Sequence, residues 1–241
     1  MMSLNEISFS QIVLNQVKWK MKAYSQSIII LILIQITVSI LFSGGNITMG
    51  GGFNEVNINI HYYTLDSYII LSCIWALVIA ILMQTNGYRH DDYAVITTRY
   101  TASLANVIVL FVYSFIATII SFMTLYILIA LIQVVGNIAV MKEYTLFEFV
   151  HFGLAFFIIL LAASIGYLIG SIFKLSKGLG ILMVVLAVIF TAILNVQPEA
   201  LLVNFFFNTG YLSFMLKALF TCILLFVSSI FILSRKEVNR R

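Results

Sequence analysis

His151 and Ser164 are the nearest this chain comes to a nucleophile with its base. Intramembrane proteolysis needs the two in hydrogen-bond reach. On one helix, thirteen residues at 1.5 Å each hold them about 20 Å apart, and no second histidine in a helix can serve Ser164. His61, His90 and His151 do not cluster as metal ligands, and no HExxH occurs. Cys73 and Cys222 lie singly in separate apolar runs, which gives neither a disulfide framework nor metal spacing. They read as packing residues. Gly44, Gly45, Gly50, Gly51 and Gly52 suggest a phosphate cradle, but a P-loop also needs a Lys and a Ser/Thr directly after its last glycine. GGGFNE stands there instead. The apolar runs contain Gln35, Gln84, Gln133 and many Ser and Thr, with no Asp, Glu or Arg in their interiors. Ion-coupled carriers and charged-ring channels depend on such groups, so both are disfavoured. The residues point away from an enzyme, with no metal and no cofactor on this chain.

The polar stretch Gly87–Ala102, GYRHDDYAVITTRYTA, can do something else. Asp91 can cap a short helix, and Asp92 in its first turn complements the positive end of the helix dipole. Arg99 complements the other end. Tyr93, Val95 and Ile96 offer an apolar contact, and Asp91, Asp92 and Arg99 offer polar fasteners. Such a helix fits a cleft in a partner and moves the spans on either side as a lever. A solvated loop with charges for topology alone has the same composition, and the residues leave both readings open.

The flanking elements are membrane spans. Apolar residues make up 62% and charged residues 9% of 241 residues, whereas a soluble domain carries about 25% charged residues. Six apolar runs approach the length that a hydrocarbon core of about 30 Å requires. They are 27–42, 67–83, 104–132, 150–173, 179–194 and 212–233. The third is longer than one crossing needs, so it tilts or continues beyond the bilayer. The first begins too deep for a secretory signal and reads as a retained helix. Eleven of the thirteen basic residues, all but Lys142 and Lys217, fall before span 1, in the 2–3 and 4–5 connections or at the end of the chain. The positive-inside rule then makes both termini cytoplasmic. The net charge of +4 is this topology signal and implies no nucleic acid. The fold class is an all-α, multi-pass membrane protein forming one domain over residues 1–241, in contact with lipid.

Residues 1–25 read as an amphipathic helix in the cytoplasmic interface. Phe9, Val13, Val17 and Met21 recur every fourth residue, with Lys18, Lys20 and Lys22 at headgroup level. The glycine-rich stretch Ser43–Asp66 reads as a flexible outer connector, with Tyr62, Tyr63 and Tyr68 at the interface. Ala162, Gly166 and Gly170 form a small-residue stripe that lets another helix approach closely, within the chain or across a subunit contact. A tight basic turn, FKLSKGLG, makes spans 4 and 5 neighbours. The outer segment Asn195–Tyr211 is either re-entrant or an interfacial aromatic anchor.

This order resembles a permease subunit of the type-2 ATP-binding-cassette exporters. The resemblance covers nearly the whole chain and rests on pattern. It is carried by the N-terminal helix, six spans, the polar segment NGYRHDDYAVITTRYTASLANVIVL, the turn GYLIGSIFKLSKGLGILMVVL, the broken outer segment and the basic end SRKEVNRR. It implies two paired permease subunits, each docking a cytosolic ATPase that carries the ATP and Mg. The segment Tyr88–Arg99 would then contact the ATPase through Tyr88, Arg89, Asp91, Asp92, Tyr93, Val95, Ile96 and Arg99. Size and an Ile/Asn-rich, proline-poor composition resemble small permeases of low-GC Gram-positive bacteria. Within that group the chain is similar to exporters of phenol-soluble modulins and to lantibiotic-immunity permeases, which implies amphipathic peptide cargo moved across the cell membrane. The competing reading is a non-transporting immunity or sensor protein that binds a peptide.

Overall fold

The structure, a computed structural model, describes residues 9–41, 47–53, 56–62, 64–85, 99–136, 149–175, 178 and 210–235. These form α1 (Phe9–Ala23), α2 (Ser25–Leu41), β1 (Ile47–Phe53), β2 (Val56–Tyr62), α3 (Asp66–Leu82), α4 (Arg99–Gly136), α5 (Phe149–Leu175) and α6 (Tyr211–Arg235). Helix is the local answer to long apolar runs, because it satisfies every backbone polar group within the segment.

Residues with hydrocarbon side chains cover the outside of the bundle. Along α2, Ile29, Ile30, Leu33, Ile36 and Ile40 are exposed, while Ser27, Leu31, Gln35 and Ser39 form the buried stripe. Ser72, Ser114, Thr118, Ser121, Ser164 and Ser229 are likewise buried in helices whose exposed faces are Ile, Leu and Phe. Polar groups inside and apolar groups outside is an arrangement suited to lipid as solvent. Three helices are long and apolar enough to cross a membrane, within α4, α5 and α6. A fourth results if α1 and α2, bent by 44° at their junction, count as one span. α3 is apolar and 17 residues long. The expected span at 179–194, the outer segment at 195–209 and the basic end from Lys236 lie outside the described residues.

Side-chain pairs fix the direction of each helix. Ser27 meets Tyr113 and Gln35 meets Ser121 and Thr124, so α2 and α4 run parallel, and Ser72 on Ser121 with Trp75 on Tyr113 makes α3 antiparallel to α4. Phe111 and Phe115 pack edge-on against Phe156, and Phe115 also against Phe152, so α5 is antiparallel to α4. α6 runs parallel to α5: His151 faces Tyr211, Ser164 faces Cys222 and Tyr167 faces Phe226. These pairings gather the C-terminal end of α1, the start of α4 and the ends of α3, α5 and α6 at one end of the bundle.

Two expectations need correction. The glycine-rich stretch is not a featureless connector: beside the all-helical bundle, the described residues include one two-stranded ribbon. β1 and β2 pair antiparallel, from Ile47 opposite Tyr62 to Phe53 opposite Val56. The alternation in VNINIHY, a period of two, outweighs the glycines of its partner strand. In addition, the lysines of α1 do not all face outward. Lys18 and Lys22 are exposed, but Lys20 is 1% exposed. It stands three and seven residues after Val17 and Val13, on the same helical face, and that face packs on α4.

Candidate functional site

α4 is the element around which the rest is arranged. Its 38 residues extend about 57 Å, against a hydrocarbon core of about 30 Å. It packs against α1, α2, α3, α5 and α6. Its first residue, Arg99, is the last residue of the expected docking segment. Tyr88, Arg89, Asp91, Asp92, Tyr93, Val95 and Ile96 lie outside the described residues.

Just inside that end, α1 is fastened to α4. Lys20 Nζ donates to Asn106 Oδ1, and both residues are buried. Val13 and Val17 pack in the same seam, within a core that includes Ala105 and Val109. One turn further, Tyr113 Oη donates to the Met21 carbonyl at 3.4 Å, and Trp75 Nε1 donates to the Ser27 carbonyl at 2.9 Å. Ser27 Oγ in turn donates to the Tyr24 carbonyl at 2.6 Å, at the bend between α1 and α2. The bend is therefore held from α3 and α4. Gln16, on the same face as Lys20, is also buried, and its Oε1 has no hydrogen-bond partner among the described residues.

Deeper in the bundle, Gln35 joins α2, α3 and α4. Its Nε2 donates to Ser72 Oγ at 2.9 Å and to Ser121 Oγ at 3.1 Å. Its Oε1 accepts from Thr124 Oγ1 at 2.9 Å. Ser72 and Ser121 share a hydrogen bond of 2.7 Å, and Ser39 Oγ lies 3.0 Å from Tyr68 Oη. This network sets the register of three helices in a medium that offers no alternative partner. It supplies neither a nucleophile activated by a base nor a charge. The Ser121 hydroxyl also lies 2.9 Å from the Ala117 carbonyl and the Thr124 hydroxyl 2.7 Å from the Ile120 carbonyl, so each can turn its single hydrogen there when Gln35 is removed. Gln35→Leu is accordingly expected to cost only about 0.6–1.7 kcal/mol, the range for helix-to-helix hydrogen bonds within membranes. Thermal unfolding of the purified protein in detergent measures it.

No family model, curated protein or solved structure matches this chain.

The small-residue stripe lies against α3. A Cβ at Gly166 would meet the Leu77 carbonyl oxygen at 2.5 Å, and one at Gly170 would meet Gln84 Cβ and Cγ at 3.0 Å. Ala162, one turn before, is half-buried. Ser164 is buried and donates to the Leu161 carbonyl at 2.8 Å, while His151 is exposed near the ring of Tyr211. Cys73 and Cys222 are free thiols. Among the described residues no three of His, Cys, Asp and Glu come together as metal ligands.

Two features were open to sequence reasoning and went unread. Ser27, Leu31, Gln35 and Ser39 recur every fourth residue in a helix otherwise made of Ile and Leu, which marks a polar inner stripe. Lys20 falls on the apolar face of α1 by the same spacing. Asn106 carries no comparable signal, because only the fold shows which helix receives Lys20.

Proposed function

We propose that the chain is the membrane-spanning permease subunit of an ATP-driven exporter, energised by a separate cytosolic ATPase. The observation that carries this reading is the continuity between the polar segment and α4. Gly87–Ala102 runs into a helix that touches every other described helix, so a force applied at Asp91–Arg99 would reach the whole bundle. α1, fastened to the same end through Lys20 and Asn106, would move with it.

Six spans with both termini in the cytoplasm complete the proposal. The parallel course of α5 and α6 supports it, since two parallel spans require one return crossing between them, and Leu179–Leu194 is the apolar run available. Orientation follows from charge: Lys18, Lys20, Lys22, Arg99, Lys174 and Arg235 belong to the helix ends gathered on one side. The cargo class we propose is an amphipathic peptide or similarly lipid-soluble molecule, which suits walls poor in charge. Pairing with a second permease subunit belongs to the same proposal.

Replacing Asp91–Ile96 with a Gly/Ser linker is expected to abolish co-purification with a P-loop ATPase or to uncouple ATP hydrolysis from export. Retention of both would remove the docking role. Protection against a peptide toxin with no ATPase required would favour the immunity or sensor reading instead.

A further inference from the structure

We propose that the β1–β2 ribbon lies flat on the lipid surface, apolar face down, and anchors the connection between α2 and α3. Residues alternate between the two faces of a strand, and residues directly opposite in a pair share a face. The register therefore groups Met49 with Ile60 and Phe53 with Val56 on one face, where every other position is also apolar or glycine. Thr48 with His61 and Gly50 with Asn59 belong to the other, which holds only Thr, Asn, His and Gly. The segregation is complete over both strands. A lone two-stranded ribbon is marginal in water, so the apolar face requires a cover. Among the described elements the strands pack chiefly on each other, and no helix packs broadly against them.

Position and charge favour lipid as the cover. Tyr62 is four residues from Asp66, a reach of at most about 14 Å, so the base of the ribbon stays beside the first turn of α3. α2 ends on Ile40 and Leu41, 69% and 75% exposed, so the surface turned to hydrocarbon continues up to the start of the connection. From Ser43 to Asp66 there is no Lys or Arg, and the sequence between the two strands carries Glu55. A neutral headgroup region therefore suits the ribbon, and anionic lipid adds no attraction. Deeper insertion is excluded, since an open ribbon would take two unpaired edges into hydrocarbon. Flat at the interface, its edges and its Asn-bearing face remain wet.

The inference rests on the membrane reading and is independent of the exporter reading. Full-length protein in phosphatidylcholine nanodiscs, with no ATPase present, tests it. An environment-sensitive fluorophore is attached singly at Ile58→Cys or Ile60→Cys, and in parallel at Asn57→Cys or Asn59→Cys. Unsubstituted protein labelled alongside sets the background from Cys73 and Cys222. Labels at 58 and 60 are expected to emit at shorter wavelength and to be quenched several-fold more by a headgroup-level nitroxide lipid. Labels at 57 and 59 are expected to be quenched several-fold more by aqueous iodide. Equal response of both pairs overturns the proposal. So do dry labels at 58 and 60 that the nitroxide lipid fails to reach, because their cover would then be protein. Either failure leaves docking at Asp91–Arg99 as a separate question.

Discussion

Gly166→Leu is expected to leave little folded protein, and even Gly166→Ala is expected to lower the melting temperature by several degrees. The Cβ of alanine would lie 2.5 Å from the Leu77 carbonyl oxygen, 2.9 Å from Leu77 Cα and 3.1 Å from Ala80 Cβ. Two of these atoms are helix backbone and cannot swing aside, so α3 and α5 must separate. Theirs is the most extensive helix contact in the described structure. Within a bilayer, lipid tails are as apolar as the side chains, so close packing carries helix association. Overpacking of this kind costs about 1–3 kcal/mol for small additions, and leucine adds three more carbons. Neighbouring positions provide a graded control. Gly170→Ala would meet Gln84 Cβ and Cγ at 3.0 Å and Ile81 Cα at 3.3 Å, longer approaches than those at Gly166, and should cost less. Ile165→Ala alters a residue 43% exposed on the lipid side and should cost least. Thermal unfolding in detergent followed by size exclusion ranks the three, and a Gly166→Ala protein that melts with its parent would refute this packing.

Asn106→Leu should destabilise the seam between α1 and α4 by about 1.5–3 kcal/mol, the contribution typical of a hydrogen bond to a charged group. Lys20 would stay buried while losing one acceptor, and the cost of an under-satisfied buried cation exceeds the value of the bond itself. Adding Lys20→Met removes that cation while keeping an unbranched side chain of similar length. The double variant is therefore expected to recover most of the loss, and the double-mutant cycle isolates the coupling. Limited proteolysis near the N-terminus and thermal unfolding provide two readouts. Additive losses in the cycle would show that Lys20 and Asn106 do not depend on one another. On the exporter reading, Asn106→Leu should also reduce ATP-coupled export more than it reduces ATPase binding, because α1 would no longer follow α4.

What could be read in the chain followed from local periodicity. The apolar runs at 27–42, 67–83, 104–132, 150–173 and 212–233 each fall on a described helix, with ends displaced by a few residues. The prolonged third run is the 38-residue α4. The period of four in α1 placed Val13 and Val17 on its packed face, although Phe9, at the start of the same row, is 55% exposed. The ribbon was missed because five glycines outweighed the alternation of VNINIHY, and strand pairing depends on a partner that local composition does not name. Of the docking residues, only Arg99 enters the described structure.

Sequence by itself determined the solvent, the course of the apolar helices and the asymmetry of basic residues, because insertion energy and the positive-inside bias depend on local composition. It also made Gly166 and Gly170 candidates for close approach. Tertiary structure alone decided that α3 fills that approach, that Lys20 turns inward to Asn106, and that Gln35 binds three helices together. It also decided that α5 and α6 run parallel. Each of these joins residues far apart in the chain, and their pairing is settled by shape and by the need to satisfy buried polar groups in a medium without water.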